Sequence, residues 1–304
     1  MSSRAAGWKS GSTPLIGLGV ALAAISTSAI LVRWSGAPSL IKAFYRSLFT
    51  TLLLAPLGLR YREEFGLIGR RDAAFAVAAG VALAIHFAAW FESLEWTSIA
   101  ASVTLVQTQS IFVAIAAWAL LEERLTPTMV AGILTALVGS VLMSASDLLG
   151  GGAVGANPLW GNALAVLGAV LAAGYVLAGR SLRQRISLVP YVLIVYSVAT
   201  VVLFFVAASG GHQFTGYPGR EWLLFLAMAV GPGIFGHTLI NWALKYVEST
   251  VVSVSLLVEP LGSALLALVI FLEVPDRWTI LGGAIVLSGI FVTARGRGAG
   301  APTQ

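Results

Sequence analysis

Long apolar runs, separated by short polar segments, extend along almost the whole chain. A helix that crosses a bilayer needs about 20 mainly apolar residues, and ten runs come close to that length. A transmembrane strand would alternate apolar and polar residues over about ten positions, and none of the runs does so. The pattern therefore predicts an all-α membrane protein with ten transmembrane helices. The predicted spans are residues 14–32, 38–59, 73–93, 98–121, 127–146, 158–179, 188–209, 221–243, 249–272 and 276–294.

Turn and capping residues lie between the runs. Gly36-Ala37-Pro38 separates the first two spans, and Thr126 before Pro127 is typical of an N-cap followed by proline at the first helical position. A glycine-rich stretch lies near the middle of the chain. We divide the chain accordingly into an N-terminal tail (1–13), a first half (14–146), a connector (147–157), a second half (158–294) and a C-terminal tail (295–304).

Basic residues predict the orientation. Lysine and arginine accumulate in the cytoplasmic loops of membrane proteins. If the N-terminus is inside, 13 of the 18 lysines and arginines fall in inner segments and only three in outer ones. This distribution predicts that both tails are cytoplasmic. Arg4 and Lys9 before the first run resemble a secretory signal, but similar runs recur to the end of the chain, which favours a retained span.

The composition agrees with a membrane protein. Hydrophobic residues make up 58% of the chain and charged residues 10%, against about 25% charged in soluble domains. A soluble enzyme, a nucleic-acid-binding protein and a disordered chain are therefore all disfavoured. The net charge of +5 comes from basic clusters between apolar runs, as expected for anchors at a membrane surface. The absence of cysteine excludes disulfides, thiolate metal sites and cysteine nucleophiles.

The two halves repeat each other at an offset of 150 residues, without gaps over the matched stretch. Each half contains five predicted helices, and five is odd, so the second copy enters the membrane inverted relative to the first. Inverted repeats are typical of secondary transporters, whose substrate site lies near the midplane between the repeats. The aligned positions are Leu94-Glu95-Trp96 with Leu244-Lys245-Tyr246, Glu123 with Glu273, Gly132 with Gly282, and Gly139 with Gly289.

Each half closes with an acidic residue before a Gly-x6-Gly helix, and Ala43-Phe44-Tyr45-Arg46 is similar to a Phe-x-Arg signature. In these features the chain, from about residue 14 to 294, resembles the EamA-type drug/metabolite transporter superfamily. It looks most like the bacterial exporters of aromatic and other amino acids. The resemblance implies a multi-pass protein of the bacterial cytoplasmic membrane. One departure is Gln109-Ser110, where that superfamily commonly has a proline; the second half keeps Pro260.

Among the few charged residues inside predicted spans, where charge is costly and is a sign of function, three are the main candidates: Lys42, Arg46 and Glu259. Lys42 and Arg46 are one helical turn apart in the second span, with Tyr45 beside them, and form a candidate site for a substrate carboxylate. The alternatives are that Lys42 extends to the interface and that Arg46 is a structural anchor. Glu259, directly before Pro260, is a candidate for binding a substrate ammonium or taking up a proton. Its alternative is a protonated glutamate bonded to a neighbouring helix.

Polar and aromatic residues at helical spacing complete the candidate site. His86 and Trp90 share a face of the third span, and His237 and Asn241 repeat that spacing in the eighth. The competing interpretations are helix packing for the histidines and an interfacial belt for tryptophan. Further candidates for the lining are Trp242, Gln107, Gln109 and Tyr175. Candidate hinge residues are Gly231, Pro232, Gly236 and Pro260, with packing as their alternative role.

These features favour a secondary transporter that exports small amphipathic metabolites, amino acids including aromatic ones. No Walker-type Gly-x4-Gly-Lys-Ser/Thr sequence occurs, so no ATPase subunit is expected; nor are a cofactor, a metal or nucleic acid. The expected partners are a small-molecule substrate and membrane lipid. Alternatives are a drug, nucleoside or other metabolite transporter of the same fold, an intramembrane enzyme acting on a lipid, and a non-transporting receptor or assembly subunit.

Overall fold

All regular elements that the structure describes are helices. The structure is a computed structural model that describes residues 12–121, 126–144, 155–243, 255–256 and 258–298. In the first half the helices are α1 (Ser12–Ser26), α2 (Ser28–Trp34), α3 (Ser39–Arg60), α4 (Arg62–Leu67), α5 (Arg70–Trp96), α6 (Ile99–Val106), α7 (Gln109–Leu121) and α8 (Pro127–Ser144). In the second half they are α9 (Pro158–Leu182), α10 (Leu188–Ser209), α11 (Gly219–Met228), a π segment (Ala229–Thr238), α12 (Leu239–Ala243), α13 (Val258–Phe271) and α14 (Arg277–Gly298).

In the part of the chain that the structure describes, six helical stretches are long and apolar enough to cross a membrane. Four shorter apolar helices lie in the other predicted spans, so the count of ten membrane spans stays a prediction. Large apolar side chains on the outer surface, such as Val138 and Val269 at 62% and 69% exposure, need lipid rather than water around them. The protein is therefore a multi-pass integral membrane protein. The six long stretches are Ile16–Trp34, Ser39–Arg60, Arg70–Trp96, Pro158–Leu182, Leu188–Ser209 and Gly219–Ala243.

Two spans that the sequence predicts as continuous are interrupted. The first is divided at Thr27, whose hydroxyl donates to the carbonyl of Ala24 at 2.7 Å. The fourth is divided at Gln107 and Thr108, and the Thr108 hydroxyl donates to the carbonyl of Leu105 at 2.6 Å. Hydroxyl side chains that bond to preceding carbonyls compete with the helical ladder, which explains both breaks. The short helix α4 was not predicted, since it lies between two predicted spans in a segment expected to be a loop.

Helix pairing is symmetric between the halves. Helix α8 packs on α14 and α3 packs on α10, so the last and the second long helices of each half pair with their equivalents. Helix α5 packs on α9, and the equivalent pair, α1 with the π segment and α12, also forms. The internal repeat therefore extends from the sequence to the contacts between helices.

The glycines of the repeat lie where α8 and α14 cross. A Cβ added to Gly132 would lie 2.6 Å from the carbonyl oxygen of Gly289, and one added to Gly139 would lie 2.6 Å from that of Gly282. The offset of 150 exchanges these two contacts, because it carries Gly132 to Gly282 and Gly139 to Gly289. The two helices therefore meet backbone to backbone around an internal pseudo-twofold axis, an approach that small residues such as glycine allow.

Candidate functional site

The main cavity lies between the two halves and encloses about 750 Å³ of empty space, including the part that is open to solvent. Each half contributes eight residues to its wall. The first half provides Ile25, Ser28, Leu83, His86, Trp90, Val106, Gln107 and Gln109; the second provides Ala172, Tyr175, Val176, His237, Ile240, Asn241, Leu256 and Glu259. The wall is mostly apolar with a few polar groups that converge, the usual character of a small-molecule site.

Glu259 is the one carboxylate among the described residues of the main cavity wall, and two glutamines orient it. It is buried at the start of α13, and its Oε2 accepts a hydrogen bond from Gln107 Nε2 at 2.6 Å. Gln107 Oε1 in turn accepts from Gln109 Nε2 at 3.2 Å. The break between α6 and α7 places both amides at this point. The three side chains form a hydrogen-bonded chain, in which the amides of Gln109 and Gln107 in the first half lead to the Glu259 carboxylate in the second half.

His86 and Trp90 line the main cavity from α5, as the sequence predicted that they would share a face. Their rings stack at 6.0 Å with an interplanar angle of 11°. His86 Nδ1 lies 2.9 Å from the carbonyl oxygen of Gly168. Because a carbonyl only accepts, Nδ1 carries a proton and donates it to this bond. The indole N–H of Trp90 is buried and has no hydrogen-bond partner within the described residues.

His237, Asn241 and Tyr175 form the wall from the second half. Asn241 Nδ2 donates to the Tyr175 hydroxyl at 2.8 Å and to the carbonyl of His237 at 2.8 Å. His237 belongs to the π segment, which also contains Gly231, Pro232 and Gly236 of the predicted hinge. The wide turns of this segment are a kind of helix irregularity that is frequent at functional sites. Pro260, the fourth hinge candidate, lies inside α13.

Arg46 lies behind the wall of the main cavity rather than in it. It is 1% exposed, and its Cζ lies 4.3 Å from the centre of the Phe87 ring. Its Nη1 donates to the hydroxyl of Ser28, a residue of the wall, at 3.1 Å. Nη2 has no partner in the part of the chain that the structure describes. A narrow space beside Arg46, with no room for a water molecule, also contacts His237. The guanidinium therefore influences the main cavity through Ser28 and its charge.

Three other predicted site residues lie outside the main cavity. Lys42 is 1% exposed, and its Nζ pairs with Glu95 Oε1 at 2.6 Å. The Tyr45 hydroxyl donates to the carbonyl of Phe214 at 2.5 Å, because the helical period turns its ring to a different face of α3 from Lys42 and Arg46. Trp242 packs its ring against Gly17 of α1.

Ser28 is the polar wall residue that the sequence interpretation missed. A run of three hydroxyl residues, Ser26 to Ser28, inside an apolar span was the available signal. The described residues contain no group of three or more histidine, aspartate or glutamate side chains that could hold a metal ion. The polar groups of the main cavity suit an organic ligand that has both an apolar part and hydrogen-bonding groups.

Comparisons with known proteins agree with this architecture. Residues 13–145 and 159–295 each match the family described as the EamA-like transporter family. An uncharacterized transporter of Archaeoglobus fulgidus is 24% identical over 252 residues, 83% of this chain and 86% of that protein. The pseudopaline exporter CntI of Pseudomonas aeruginosa is also 24% identical over 252 residues, covering 83% and 84%. A protein of known crystal structure is 21% identical, with a TM-score of 0.63 over 93% of this chain and 98% of that one, and shows the same fold.

Proposed function

We propose, from the premise that this chain belongs to the EamA-like transporter family, that it is a secondary transporter. The proposed activity is the export of small amphipathic metabolites, in particular amino acids, including aromatic ones. The relative named as a pseudopaline exporter supports the direction of transport. Drugs, nucleosides and other metabolites are the alternative substrates. The proposal includes ten membrane spans and two cytoplasmic tails.

The observation that carries the proposal is the composition of the main cavity wall, which the two halves share equally. A space bounded by two symmetric bodies opens toward one face or the other when the bodies move relative to one another.

The polar groups of the wall suggest how an amino acid would bind. The Glu259 carboxylate, supported by Gln107, would contact the ammonium. The stacked rings of His86 and Trp90 would contact an apolar or aromatic side chain. Arg46, behind Ser28, would supply positive potential for the substrate carboxylate. The π segment and Pro260 would let the second half bend between the two open states.

The proposal predicts counterflow. Purified protein in proteoliposomes loaded with unlabelled amino acids should exchange them for labelled amino acids from outside, and aromatic amino acids should be among the best substrates. Nucleosides and drugs are tested on the same vesicles. The absence of flux for every metabolite class would overturn the proposal, and flux of nucleosides or drugs alone would overturn the choice of substrate.

Trp90→Phe is expected to weaken substrate affinity by about 2- to 10-fold, because it removes a buried N–H that a bound acceptor would satisfy. The aromatic ring and most of its packing are kept. Thermal stabilisation of the purified protein by amino acids measures the change. Trp160→Phe is the matched control, since Trp160 is 52% exposed on the outer surface. Equal affinity in Trp90→Phe and the control would contradict a contact with the indole N–H.

The orientation is tested by single cysteines, since the chain contains none. Thr215 and Glu63 are exposed residues in segments that the proposal places outside and inside, respectively. Thr215→Cys is expected to react with a membrane-impermeant maleimide in spheroplasts, and Glu63→Cys only in inverted vesicles. The reverse pattern would contradict two cytoplasmic tails.

A further inference from the structure

Glu273 joins the two halves at one end of the bundle. It follows α13 in the second half and is 9% exposed. Two described residues bind its carboxylate, and both belong to the first half: Arg33 Nη1 lies 3.3 Å from Oε2, and the backbone N–H of Ile99 donates to Oε1 at 2.7 Å. Ile99 is the first residue of α6, where a helix has unsatisfied N–H groups and attracts negative charge. The Glu273 carboxylate therefore accepts a hydrogen bond from the N-terminus of α6 and forms an ion pair with Arg33, and both partners lie in the opposite half.

Arg33 extends this connection to a third helix. Its Nη2 donates to the carbonyl of Thr97 at 2.7 Å, directly after α5. The ends of α2 and α5 and the start of α6 are thus tied to the end of α13. The Arg33 side chain is 24% exposed, so water partly screens the pair. A connection of this kind holds a conformation and can still be broken reversibly.

The chain is strained where it presents Glu273. Leu272 has φ of 55°, a left-handed conformation that costs free energy for any residue with a Cβ. Its side chain is 80% exposed, so burial does not compensate for the strain. The N–H of Glu273 bonds to the carbonyl of Ala267 at 3.3 Å and closes a seven-residue turn at the end of α13. Leu272 therefore stands at a left-handed position after a helix, where glycine is usual. Strain that persists only with support from its surroundings is typical of switch segments.

The same helices line the main cavity farther along their length. Trp90 precedes the end of α5 by six residues, and Val106 follows the start of α6 by seven, which are separations of about 9 and 11 Å along a helix axis. Glu259 precedes Glu273 by 14 residues. The contacts of Glu273 therefore lie at one end of the cavity and connect four helices, α2, α5, α6 and α13, that contain or adjoin its wall.

We propose that Arg33, Glu273 and the Ile99 N–H form a latch that closes this end of the main cavity and opens once in each transport cycle. The inference rests on the proposed function, in which the cavity is open to one face at a time. In the proposed orientation the latch faces outward. The offset of 150 also carries Arg33 to Arg183 and Glu273 to Glu123, so both halves have these two residue types at equivalent positions. Glu123 lies outside the described residues, and only the residue types are compared.

A single cysteine in the cavity measures opening of the latch. Ala172 is a small residue of the wall, and the chain has no native cysteine. Ala172→Cys is labelled with a membrane-impermeant maleimide in spheroplasts and in inverted vesicles. Adding Arg33→Gln or Glu273→Gln is expected to speed labelling at least fivefold in spheroplasts only. The charge exchange Arg33→Glu with Glu273→Arg is expected to restore part of the slow rate.

Arg220→Gln is the matched control, because Arg220 lies at the same end but bonds to the backbone carbonyl of Trp34 at 3.1 Å. It is expected to leave the labelling rate unchanged.

The two partners of the ion pair are replaced separately, so that a variant that fails to fold leaves the other to give the result. Unchanged labelling in folded Arg33→Gln or Glu273→Gln would reduce the pair to a static structural contact and overturn the latch. Faster labelling in inverted vesicles alone would overturn its outward position. Labelling needs no substrate, so a failed counterflow assay leaves this result interpretable.

Discussion

Glu259→Gln is expected to reduce amino-acid counterflow by at least about 30-fold while the protein still folds. Truncating or neutralising one partner of a buried charged pair costs about 2–5 kcal/mol, which corresponds to about 30-fold or more. Among the described residues of the main cavity wall, no other acidic group could replace Glu259 for a substrate ammonium. Counterflow in proteoliposomes measures the effect.

Folding should survive this change because glutamine keeps the size of the side chain and an oxygen acceptor. Gln107 Nε2, now 2.6 Å from Glu259 Oε2, can donate to the amide oxygen of the variant. The loss therefore reports the charge rather than the hydrogen bond. Glu92→Gln is the matched control: Glu92 also lies on a helix of the cavity, but it accepts from Trp96 Nε1 at 2.8 Å and is absent from the wall.

Proton-driven flux separates the two roles proposed for Glu259. If Glu259 binds the substrate ammonium, the variant Glu259→Gln should lose both counterflow and proton-driven uptake. Counterflow that stays within about threefold of the parent protein, with proton-driven uptake lost, would assign Glu259 to proton uptake alone. Retention of both activities would contradict either role.

Gly139→Ala is expected to destabilise the protein by about 1–3 kcal/mol, the usual cost of excess volume in a packed interior. The added Cβ would lie 2.6 Å from the carbonyl oxygen of Gly282 and 2.7 Å from the backbone nitrogen of Val286. Backbone atoms of a helix cannot turn away as a side chain can, so α8 and α14 must separate. Thermal unfolding in detergent measures the change, and Gly139→Leu is expected to abolish the folded protein.

Gly174→Ala provides the control for this change. Gly174 lies in the middle of α9, and a Cβ added there would meet no atom within 4 Å. Alanine is the better helix former by about 1 kcal/mol, so this variant should be as stable as the parent or more so. An equal loss of stability in Gly139→Ala and Gly174→Ala would show that the crossing of α8 and α14 is not especially tight.

Local signals in the sequence predicted several features of the structure directly. Thr126 accepts from the N–H of Met129 at 3.2 Å and Pro127 begins α8, because capping depends on residues within one turn. The pairing of His86 with Trp90 follows from a spacing of four residues on one helix. The glycines of the repeat, such as Gly139, were identified by alignment alone, although their contacts with the opposite helix were not.

Features that depend on a distant partner were not predictable in the same way. The spacing of Lys42 and Arg46 predicts one shared face, but not that Glu95 pairs with Lys42 while Arg46 lies over Phe87. The repeat identified Glu273 only as the equivalent of Glu123, and not that it binds Arg33 across 240 residues of sequence. Such contacts arise between helices whose relative rotation no local pattern specifies.

The sequence by itself determined that the chain is helical and lies in a membrane, and that it consists of two similar halves. Composition and periodicity are sufficient for this, because lipid leaves a backbone few ways to satisfy its hydrogen bonds. Only the tertiary structure decided which polar residues meet. It placed Glu259 beside Gln107 in a cavity shared by both halves, and Arg33 beside Glu273 at its end. The reason is that each pair contains one residue from each half, so its distance is set by how the halves pack and not by the spacing within either.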